Sequence, residues 1–504
     1  MIIRFSLLFF ALFQLGCSHS QNINRPVPFG VFPYEYVKND SLIDFHIAVN
    51  MFHRAPAGSP TEYDYHRGII LDPDGYIAWY QDKNPSNAFA LNNFHYQTEL
   101  KQFQETILGA GGGTPFRTLD TTFQFIDAIG AQNVQPDSHE FIKTSNGDQF
   151  IITRNDSIFD LSSYTIYGVP GNANTTVRCK GIQGFDVNGN LIFEWNSCNH
   201  VHPSESYGFN YNQNDFNYFH MNSVDVDENG DLIVSGRHSN LILKIDRATS
   251  QVVWQLGGIN SDFTFVSDSG FSGQHDARSI GNGQYTLFDN GNLILPQKSR
   301  AITYQLDTNN WTATLVSAYD PAPSVFGSSM GNYRQIGNYG VVGYGSVFRP
   351  DPNIAVHDQN MDLAAAYYFT DSVQSYRAVP FHLDFILPRP SVFCFDSLGQ
   401  TYIKAEGSYS SFEWSTGETT EAILPILGET YQVYVPYGVG RLGSIPLTYD
   451  GNCHLSVSEL DLSKPSVVKT IDLLGREVTG KKIGGLYINV YTDGSSQLHY
   501  FTGE

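Results

Sequence analysis

Short stretches in which apolar and polar residues alternate recur along most of the chain and predict a β-rich protein. In the recurring unit, a turn containing Asp or Asn precedes an alternating strand that has an aromatic residue near its end. Six copies begin at Leu71, Leu119, Phe185, Ile245, Leu306 and Val356. Their spacing of about 50 to 65 residues is typical of a four-stranded blade with loop insertions. The pattern therefore predicts an all-β, six-bladed β-propeller, and its regularity argues against a large β-sandwich or an irregular stack of sheets.

Between these copies lie Asn-Gly hairpins whose flanks also alternate with period two, as in SNGDQFIITRND, ENGDLIVSGRH and GNGQYTLFDNG. In three hairpins a histidine precedes the turn glycine by eight, ten and eight residues; these pairs are His139 and Gly147, His220 and Gly230, and His275 and Gly283. A fourth hairpin, GNYRQIGNYGVVGYGS, has no histidine. If the three segments are equivalent strands of a closed repeat, their imidazoles point towards one axis.

The sequence pattern changes after Pro390, which indicates that further modules follow the propeller. The stretch FEWSTGETTEAILPILGETYQVYV resembles the small immunoglobulin-like modules appended to secreted bacterial enzymes. The runs Asp472-Leu473-Leu474-Gly475-Arg476-Glu477 and Gly485-Leu486-Tyr487-Ile488 resemble the C-terminal sorting domain of type IX secretion in Bacteroidetes. The predicted domains are a signal peptide at 1–20, a propeller at 21–388, an immunoglobulin-like β module at 391–455 and a β sorting domain at 456–504.

Composition and charge limit the possible binding partners of the protein and the cellular compartment in which it works. The 504 residues carry a formal net charge of -21, which disfavours contact with a nucleic-acid backbone. An apolar run from Phe5 to Leu15 follows Arg4 and predicts a cleaved export signal, hence a secreted or cell-surface protein. Export to an oxidising compartment favours disulfides between neighbouring cysteines, Cys179 with Cys198 and Cys394 with Cys453. The alternative is four buried free thiols.

Candidate chemistry is densest between Phe219 and Asp246. His220 and Asn222 are two apart, so an extended strand would place them on one face, and Arg237 follows on the next strand. Arg154 follows Gly147 as Arg237 follows Gly230, so the repeat predicts a second guanidinium nearby. Arginine suits tetrahedral oxyanions, and histidine is a nucleophile, base or acid near neutral pH. Three imidazoles could instead bind zinc, but adjacent arginines disfavour a dication.

The remaining histidines have no repeat-matched position, which predicts surface or loop locations for His95, His200, His202 and His357. His238 is expected to face away from Arg237 because the two are adjacent on a strand.

The order and spacing of several motifs between about Asp137 and Gly291 resemble the bacterial arylsulfate sulfotransferases. Those motifs are His220-Met221-Asn222-Ser223, Ser235-Gly236-Arg237, Trp254-Gln255-Leu256-Gly257-Gly258, Gln274-His275-Asp276-Ala277-Arg278 and Phe288-Asp289-Asn290-Gly291. The resemblance implies a six-bladed propeller in which His275 becomes transiently sulfated. It also implies that His139, His220, Asn222 and Arg237 hold the sulfuryl oxygens and handle the phenolic proton. Glu140 departs from the Asp expected after His139, and could alter the orientation of that imidazole.

By this resemblance the protein moves a sulfuryl group from a phenolic sulfate ester to an acceptor phenol by a ping-pong mechanism. No cofactor and no metal are expected, because a sulfate ester carries only one negative charge. The expected partners are the small-molecule donor and acceptor together with the type IX secretion machinery. The alternative is a non-catalytic secreted propeller that binds a sulfated or aromatic ligand.

Overall fold

The computed structural model describes residues 23–28, 31–53, 67–81, 89–109, 116–208, 211–370, 373–452, 467–471, 485–491 and 496–501. Within these ranges the protein is all-β, as expected from its alternating pattern, and the only helical segments are 3-10 turns at Thr98–Leu100, Ser197–Asn199, Pro203–Glu205 and Arg237–Ser239. No helix in this part of the chain has the length and apolar character needed to cross a membrane.

Six antiparallel sheets of at least four strands make up most of the fold. Sheet 1 contains Val373–Phe381, His46–His53, Arg67–Leu71 and Ile77–Gln81; sheet 2 contains Phe89–Gln97, Gln102–Gly109, Phe116–Leu119 and Phe125–Ile129; sheet 3 contains Gln135–Lys143, Gln149–Phe159, Thr175–Phe185 and Leu191–Asn196. Sheet 4 contains Met221–Val226, Leu232–Gly236, Leu241–Ile245 and Val252–Gly257; sheet 5 contains His275–Gly281, Gln284–Asp289, Arg300–Asp307 and Thr312–Tyr319; sheet 6 contains Asn332–Ile336, Tyr339–Gly343, Ile354–His357 and Leu363–Phe369. We call the strand named first in each sheet its leading strand.

Additional strands extend sheets 3, 5 and 6. Asp215–Phe216 pairs in parallel with Thr175–Phe185 in sheet 3, and Thr264–Val266 pairs in parallel with Thr312–Tyr319 in sheet 5. Tyr34–Lys38 and then Ile23–Asn24 extend sheet 6. A small hairpin, Thr165–Ile166 with Val169–Pro170, lies in the connection between the second and third strands of sheet 3.

Both sequence repeats correspond to hairpins of these sheets. Each of the six Asp- or Asn-containing copies lies at the turn between the third and fourth strands of one sheet, as at Leu71 in sheet 1 and Phe185 in sheet 3. The Asn-Gly turns join the first and second strands of sheets 3, 4 and 5. Gly147 and Gly230 have φ of 90° and 85°, a left-handed conformation that favours glycine. The repeats therefore mark equivalent positions in successive sheets.

Neighbouring sheets pack face to face through apolar clusters that follow the chain order. Phe150 and Ile152 of sheet 3 share one core with Val224 and Leu243 of sheet 4. Equivalent clusters join sheets 2 and 3, 4 and 5, 5 and 6, and 6 and 1. Each sheet thus buries its apolar faces against its neighbours, which is a propeller-like arrangement. The leading strand of sheet 1, near the end of this region, also pairs with the early strand His46–His53.

The chain divides into two compact units. The first comprises residues 1–391, 407–421 and 431–446, and the second comprises 392–406, 422–430 and 447–504. The predicted immunoglobulin-like module at 391–455 is therefore divided between the two units.

In the first unit, Gly440–Gly443 pairs with Ile77–Gln81 and continues sheet 1 through Val433–Tyr437 to Glu413–Trp414. The second unit contains a sheet of Val392–Ser397, Gln400–Ala405 and Ala422–Ile423. It also contains a sheet of Val467–Ile471, Gly485–Tyr491 and Ser496–Phe501. Thr430–Tyr431 and Leu447–Thr448 are two further short strands.

The predicted disulfide between Cys179 and Cys198 is present, with the two Cα atoms 5.4 Å apart. It connects the third strand of sheet 3 to the 3-10 turn that follows the fourth strand. Cys394 is also disulfide-bonded. Its predicted partner Cys453, the signal peptide at 1–20 and the run from Asp472 to Glu477 lie outside the described residues.

Candidate active site

The three repeat-matched histidines lie at the leading strands of three successive sheets. His139 is in the leading strand of sheet 3, His220 directly precedes that of sheet 4, and His275 begins that of sheet 5. The strand register is irregular at each of these points, between Pro136 and Phe141, Met221 and Ser223, and His275 and Arg278. Such bulges redirect side chains and are common beside functional sites.

His139 is held by a carboxylate two residues before it. Its Nδ1 contacts Asp137 Oδ1, and its backbone N–H donates to the same oxygen at 3.2 Å. The other oxygen, Asp137 Oδ2, accepts from Lys180 Nζ in the third strand of sheet 3. Burial opposes ionisation of Asp137, but the charges of His139 and Lys180 hold the pKa of this carboxyl well below its usual range. The imidazole of His139 thus lies beside an ionised carboxylate.

His220 packs between two other imidazoles. Its ring centroid is 5.0 Å from that of His139 and 4.5 Å from that of His238. Asn217 Nδ2 donates to Nδ1 of His220 at 2.8 Å, and Nδ1 of His238 donates to the Asn217 carbonyl at 2.5 Å. Burial, reinforced by the neighbouring His139 and His238, lowers the pKa of His220 well below its ordinary value. His220 is therefore neutral near pH 7.

Two expectations drawn from strand alternation are wrong here. His220 has φ of 49°, so it is not part of an extended strand with Asn222. Arg237 and His238 belong to a 3-10 turn rather than a strand, which brings His238 onto His220 instead of directing it away. His238 is thus a member of the cluster that the repeat pattern did not reveal.

His275 is 3% exposed and makes hydrogen bonds at both ring nitrogens. Nδ1 donates to Asn290 Oδ1 at 2.7 Å, because the amide nitrogen of Asn290 already donates to the carbonyls of Gly327 and Met330. The lone pair of Nε2 accepts from the Met330 N–H at 3.2 Å. Burial, and then the charge of Arg237, lower the pKa of His275 well below its ordinary value. The ring is a neutral imidazole whose unprotonated nitrogen is Nε2.

Arg237 and His275 both form hydrogen bonds with the loop that contains Ser328 and Met330. Arg237 Nη2 donates to the Ser328 carbonyl at 2.9 Å, two residues from the Met330 N–H that contacts His275. Burial lowers the pKa of Arg237 to about 10, so it remains a cation near neutral pH. The structure therefore places a guanidinium beside the buried imidazole of His275.

Asn222 is fully buried and links sheets. Its Nδ2 donates to the Gln274 carbonyl at 2.7 Å, and its own carbonyl accepts from Arg377 Nη2 at 2.8 Å and from Tyr376 O–H at 3.3 Å. Tyr376 also lies beside His139, with ring centroids 6.0 Å apart. Tyr376 and Arg377 come from the leading strand of sheet 1, which has no counterpart in the Asn-Gly hairpin pattern. The sequence repeats therefore could not identify them.

The second guanidinium expected at Arg154 does not reach the cluster. Arg154 forms an ion pair with Asp156 and is partly exposed. The carboxylate of Glu140 binds other residues: it accepts from Arg377 Nη1 at 2.8 Å and from Asn93 Nδ2 at 2.9 Å. The orientation of His139 is instead determined by Asp137.

Glu140 belongs to a buried ion cluster formed by leading strands. Its members, which we call the central ion cluster, are Glu140, Asp225, Asp276, Arg278, Arg334 and Arg377. Three carboxylates face three guanidiniums. Burial opposes ionisation of Asp276. The charges of Arg278, Arg334 and Arg377 nevertheless hold the pKa of that carboxyl well below its usual range. The cluster connects the strands that carry His139 and His275.

Glu140→Gln should destabilise the fold by about 3 to 5 kcal/mol, because it leaves the buried Arg278 and Arg377 with one compensating charge fewer. Urea denaturation followed by tryptophan fluorescence measures this difference in the free energy of unfolding. Glu35→Gln is the control, since its ion pair with Arg349 is about one-third exposed and should contribute at most about 1 kcal/mol. Equal, small effects for the two variants would show that the cluster is not important for stability.

The other histidines are distributed differently. His200 and His202 flank 3-10 turns outside the regular strands, in agreement with a loop location. The surface prediction is wrong for His357, which is buried in a strand with its ring stacked 4.5 Å from that of Tyr319. His95 lies in the leading strand of sheet 2, where burial lowers its pKa to about 4. Among the residues that the structure describes, no group of three or more His, Cys, Asp or Glu side chains could hold a metal ion.

Residues 116–361 match the family model of the arylsulfotransferases (ASST). The arylsulfotransferase match contains all five sequence-predicted site residues: His139, His220, Asn222, Arg237 and His275. This match supports an arylsulfotransferase-like function. It also indicates that the protein is a sulfotransferase enzyme and that its substrates are small phenolic molecules. No curated protein matches the chain.

Solved structures similar to this chain are distant in sequence. A protein of unknown function from Bacteroides caccae is 10% identical, with a TM-score of 0.38, and the match covers 68% of this chain and 100% of that chain. A putative 6-phosphogluconolactonase from Bacteroides uniformis is 10% identical, with a TM-score of 0.34, covering 81% and 97%. The periplasmic gluconolactonase PpgL of Pseudomonas aeruginosa is 11% identical, with a TM-score of 0.33, covering 80% and 98%.

Proposed function

We propose that this protein is an arylsulfate sulfotransferase that transfers a sulfuryl group from a phenolic sulfate ester to an acceptor phenol through a sulfated His275. The observation that carries the proposal is the state of His275: a buried, neutral imidazole with Nδ1 bound to Asn290, Nε2 unprotonated and Arg237 nearby. A nucleophilic histidine needs this lone pair, and a sulfuryl group needs a fixed cation.

In the proposed first half-reaction, Nε2 of His275 attacks the sulfur atom while the bond from sulfur to the aryl oxygen breaks. The electron pair of that bond stays on the aryl oxygen, which leaves as the phenol after taking a proton. Charge develops on the sulfuryl oxygens, as in phosphoryl transfer, and fixed donors stabilise it. Arg237 and His220 supply such donors. The Met330 N–H, which lies 3.2 Å from Nε2, can then donate to a sulfuryl oxygen.

In the second half-reaction an acceptor phenol loses its proton and attacks the sulfur atom. The bond between sulfur and Nε2 breaks, and its electron pair restores the neutral imidazole of His275. Donor and acceptor thus use one site in turn, which is a ping-pong cycle. Asn222, with one amide N–H committed to the Gln274 carbonyl, contributes to this site chiefly by connecting the leading strands of sheets 4, 5 and 1.

We propose that the six sheets close into a six-bladed propeller. The contacts of the leading strand of sheet 1 with those of sheets 2 and 6 support this closure. We also propose export by a signal peptide at 1–20 and sorting by a type IX domain at 456–504. The disulfide between Cys179 and Cys198 supports passage through an oxidising compartment.

The test is release of 4-nitrophenol from 4-nitrophenyl sulfate with and without added phenol. A sulfotransferase should release nitrophenol at a rate that depends on phenol and should form phenyl sulfate in equal amount. Release without an acceptor would indicate a hydrolase instead. No release from this donor or from other aryl sulfates, with retained binding, would favour the alternative of a non-catalytic binding protein.

A further inference from the structure

The imidazoles of His139, His220, His238 and His275 at the candidate site have different partners at Nδ1. Nδ1 of His220 faces the amide of Asn217, that of His238 faces a backbone carbonyl, and that of His275 faces the amide oxygen of Asn290. Nδ1 of His139 instead faces the carboxylate of Asp137. An amide or a carbonyl fixes the tautomer of a histidine, whereas a carboxylate also stabilises the imidazolium.

The carboxylate of Asp137 is itself held in place from another strand. Lys180 Nζ contacts Asp137 Oδ2, and the side chain of Lys180 is almost completely buried. The backbone N–H of Lys180 donates to Ser197 Oγ at 3.0 Å, and the preceding residue forms the disulfide from Cys179 to Cys198. The backbone at Lys180 is therefore tied to the 3-10 turn Ser197–Asn199 by a hydrogen bond and, through its neighbour Cys179, by a disulfide. The charge of Lys180 helps to hold the pKa of Asp137 well below its usual range, so Asp137 presents an ionised carboxylate to Nδ1 of His139.

The other imidazoles are poorly suited to gaining a proton. Burial lowers the pKa of both His220 and His275 well below the ordinary value, and the charges of His139 and Arg237 lower it further. The side chain of His139 is 23% exposed, whereas His275 is buried, so His139 can face a phenol that enters from solvent. Its distance of 5.0 Å from His220, between ring centroids, places it beside the proposed sulfuryl site.

We infer that Asp137 and Lys180 are positioning residues that make His139, and not His220, the proton-transfer group of the reaction; this inference rests on the proposed function. Asp137 accepts the Nδ1 proton of His139 and so presents Nε2 to the substrate. When the bond from sulfur to the aryl oxygen breaks, that oxygen takes the proton from Nε2 of the imidazolium. In the second half-reaction the O–H proton of the acceptor phenol returns to the same nitrogen. His220 stays neutral and binds the sulfuryl oxygens.

The leaving group of the donor provides a test that distinguishes proton transfer from general damage to the site. Phenolate is a poor leaving group with a conjugate pKa of about 10, so its departure needs a proton. The nitro group of 4-nitrophenolate delocalises the charge, and this anion leaves without one. A single-turnover experiment follows sulfation of His275 by mass spectrometry with phenyl sulfate and with 4-nitrophenyl sulfate.

Asp137→Asn should slow sulfation by phenyl sulfate by about 100-fold or more, within the range for loss of general acid catalysis, and sulfation by 4-nitrophenyl sulfate by less than about tenfold. His220→Gln should slow both donors by the same factor, because it removes a contact to the sulfuryl oxygens. Asp156→Asn is the matched control: it also removes a carboxylate from sheet 3, but that carboxylate pairs with Arg154 away from the site. This control should leave both rates unchanged.

Equal slowing of both donors by Asp137→Asn would overturn the inference, and so would a larger leaving-group dependence in His220→Gln. If Asp137→Asn fails to fold, Lys180→Met replaces it and should show the same preference for 4-nitrophenyl sulfate, while Lys180→Arg should restore much of the activity with phenyl sulfate. An unchanged ratio in Lys180→Met would also overturn it. Failure of the native protein to be sulfated by either donor would reject the proposed function itself, whatever the variants do.

Discussion

His275→Ala should reduce sulfuryl transfer from 4-nitrophenyl sulfate to phenol by roughly 10⁴-fold or more, because the variant has no nucleophile to form the covalent intermediate. The ring of His275 is buried, and its Nε2 is unprotonated in the neutral state that its low pKa maintains. The measurement combines initial rates of nitrophenol release with intact-mass spectrometry. The native protein should gain one sulfuryl group after exposure to the donor alone, and the variant should gain none.

Two controls make this result specific. His382→Ala removes an exposed histidine, half of whose side chain is in contact with solvent, and should leave both rate and mass shift unchanged. Loss of the hydrogen bond to Asn290 in His275→Ala costs about 1 to 3 kcal/mol of stability, so the midpoint of urea denaturation confirms that the variant is folded. A folded variant that retains near-native turnover would eliminate the sulfohistidine mechanism, even if the native protein is active.

Arg237→Met should lower the rate of the first half-reaction by roughly 10² to 10³-fold, as expected when a fixed donor to a developing oxyanion is removed. It should also change the pH dependence. The charge of Arg237 helps to lower the pKa of His275, so its removal raises that pKa. Since only the neutral imidazole attacks, the rate in the variant should begin to fall at a higher pH than in the native protein. The native rate should persist as the pH falls through about 6.5.

The pH profile is measured with 4-nitrophenyl sulfate, whose leaving group needs no proton. The charged and titratable groups that act on His275 are Arg237, His139 and Arg377, and only the first changes. Arg237→Lys is the matched variant: it keeps the cation but loses the planar fork that suits a tetrahedral oxyanion. It should retain the native pH profile with a reduced rate. An unaltered profile and rate in Arg237→Met would show that this guanidinium does not act at the site.

Much of the fold was predictable because its signals are local. Alternation of apolar and polar residues with period two identifies a strand that has one face buried, and Asn-Gly turns favour tight hairpins. These two patterns placed equivalent hairpins in successive sheets, from Leu71 in sheet 1 to Val356 in sheet 6. The pairing of Gly440–Gly443 could not be predicted in this way, because its partner strand Ile77–Gln81 lies more than 350 positions earlier in the chain. Local alternation does not reveal such a partner.

The candidate site was predictable where it repeats and not where it depends on irregular backbone. The interval from histidine to turn glycine pointed to equivalent positions, and His139, His220 and His275 do lie at the leading strands of three successive sheets. Counting faces along an ideal strand misplaced His238, because His220 has a positive φ and the strand Leu232–Gly236 ends one residue before Arg237. The same counting misplaced Arg154, which pairs with Asp156.

The sequence alone determined the strands, their hairpins and the three sheets that carry the histidines. Burial of one face of a strand and the formation of a tight turn both depend on residues that are neighbours in the chain. The tertiary structure decided which polar groups meet: Asp137 with Lys180, Glu140 with Arg377, and His275 with the backbone N–H of Met330. These pairs join residues far apart in the chain, and their formation depends on bulges and on packing between sheets. A pattern that compares only nearby residues therefore cannot predict the bulges or the packing between sheets.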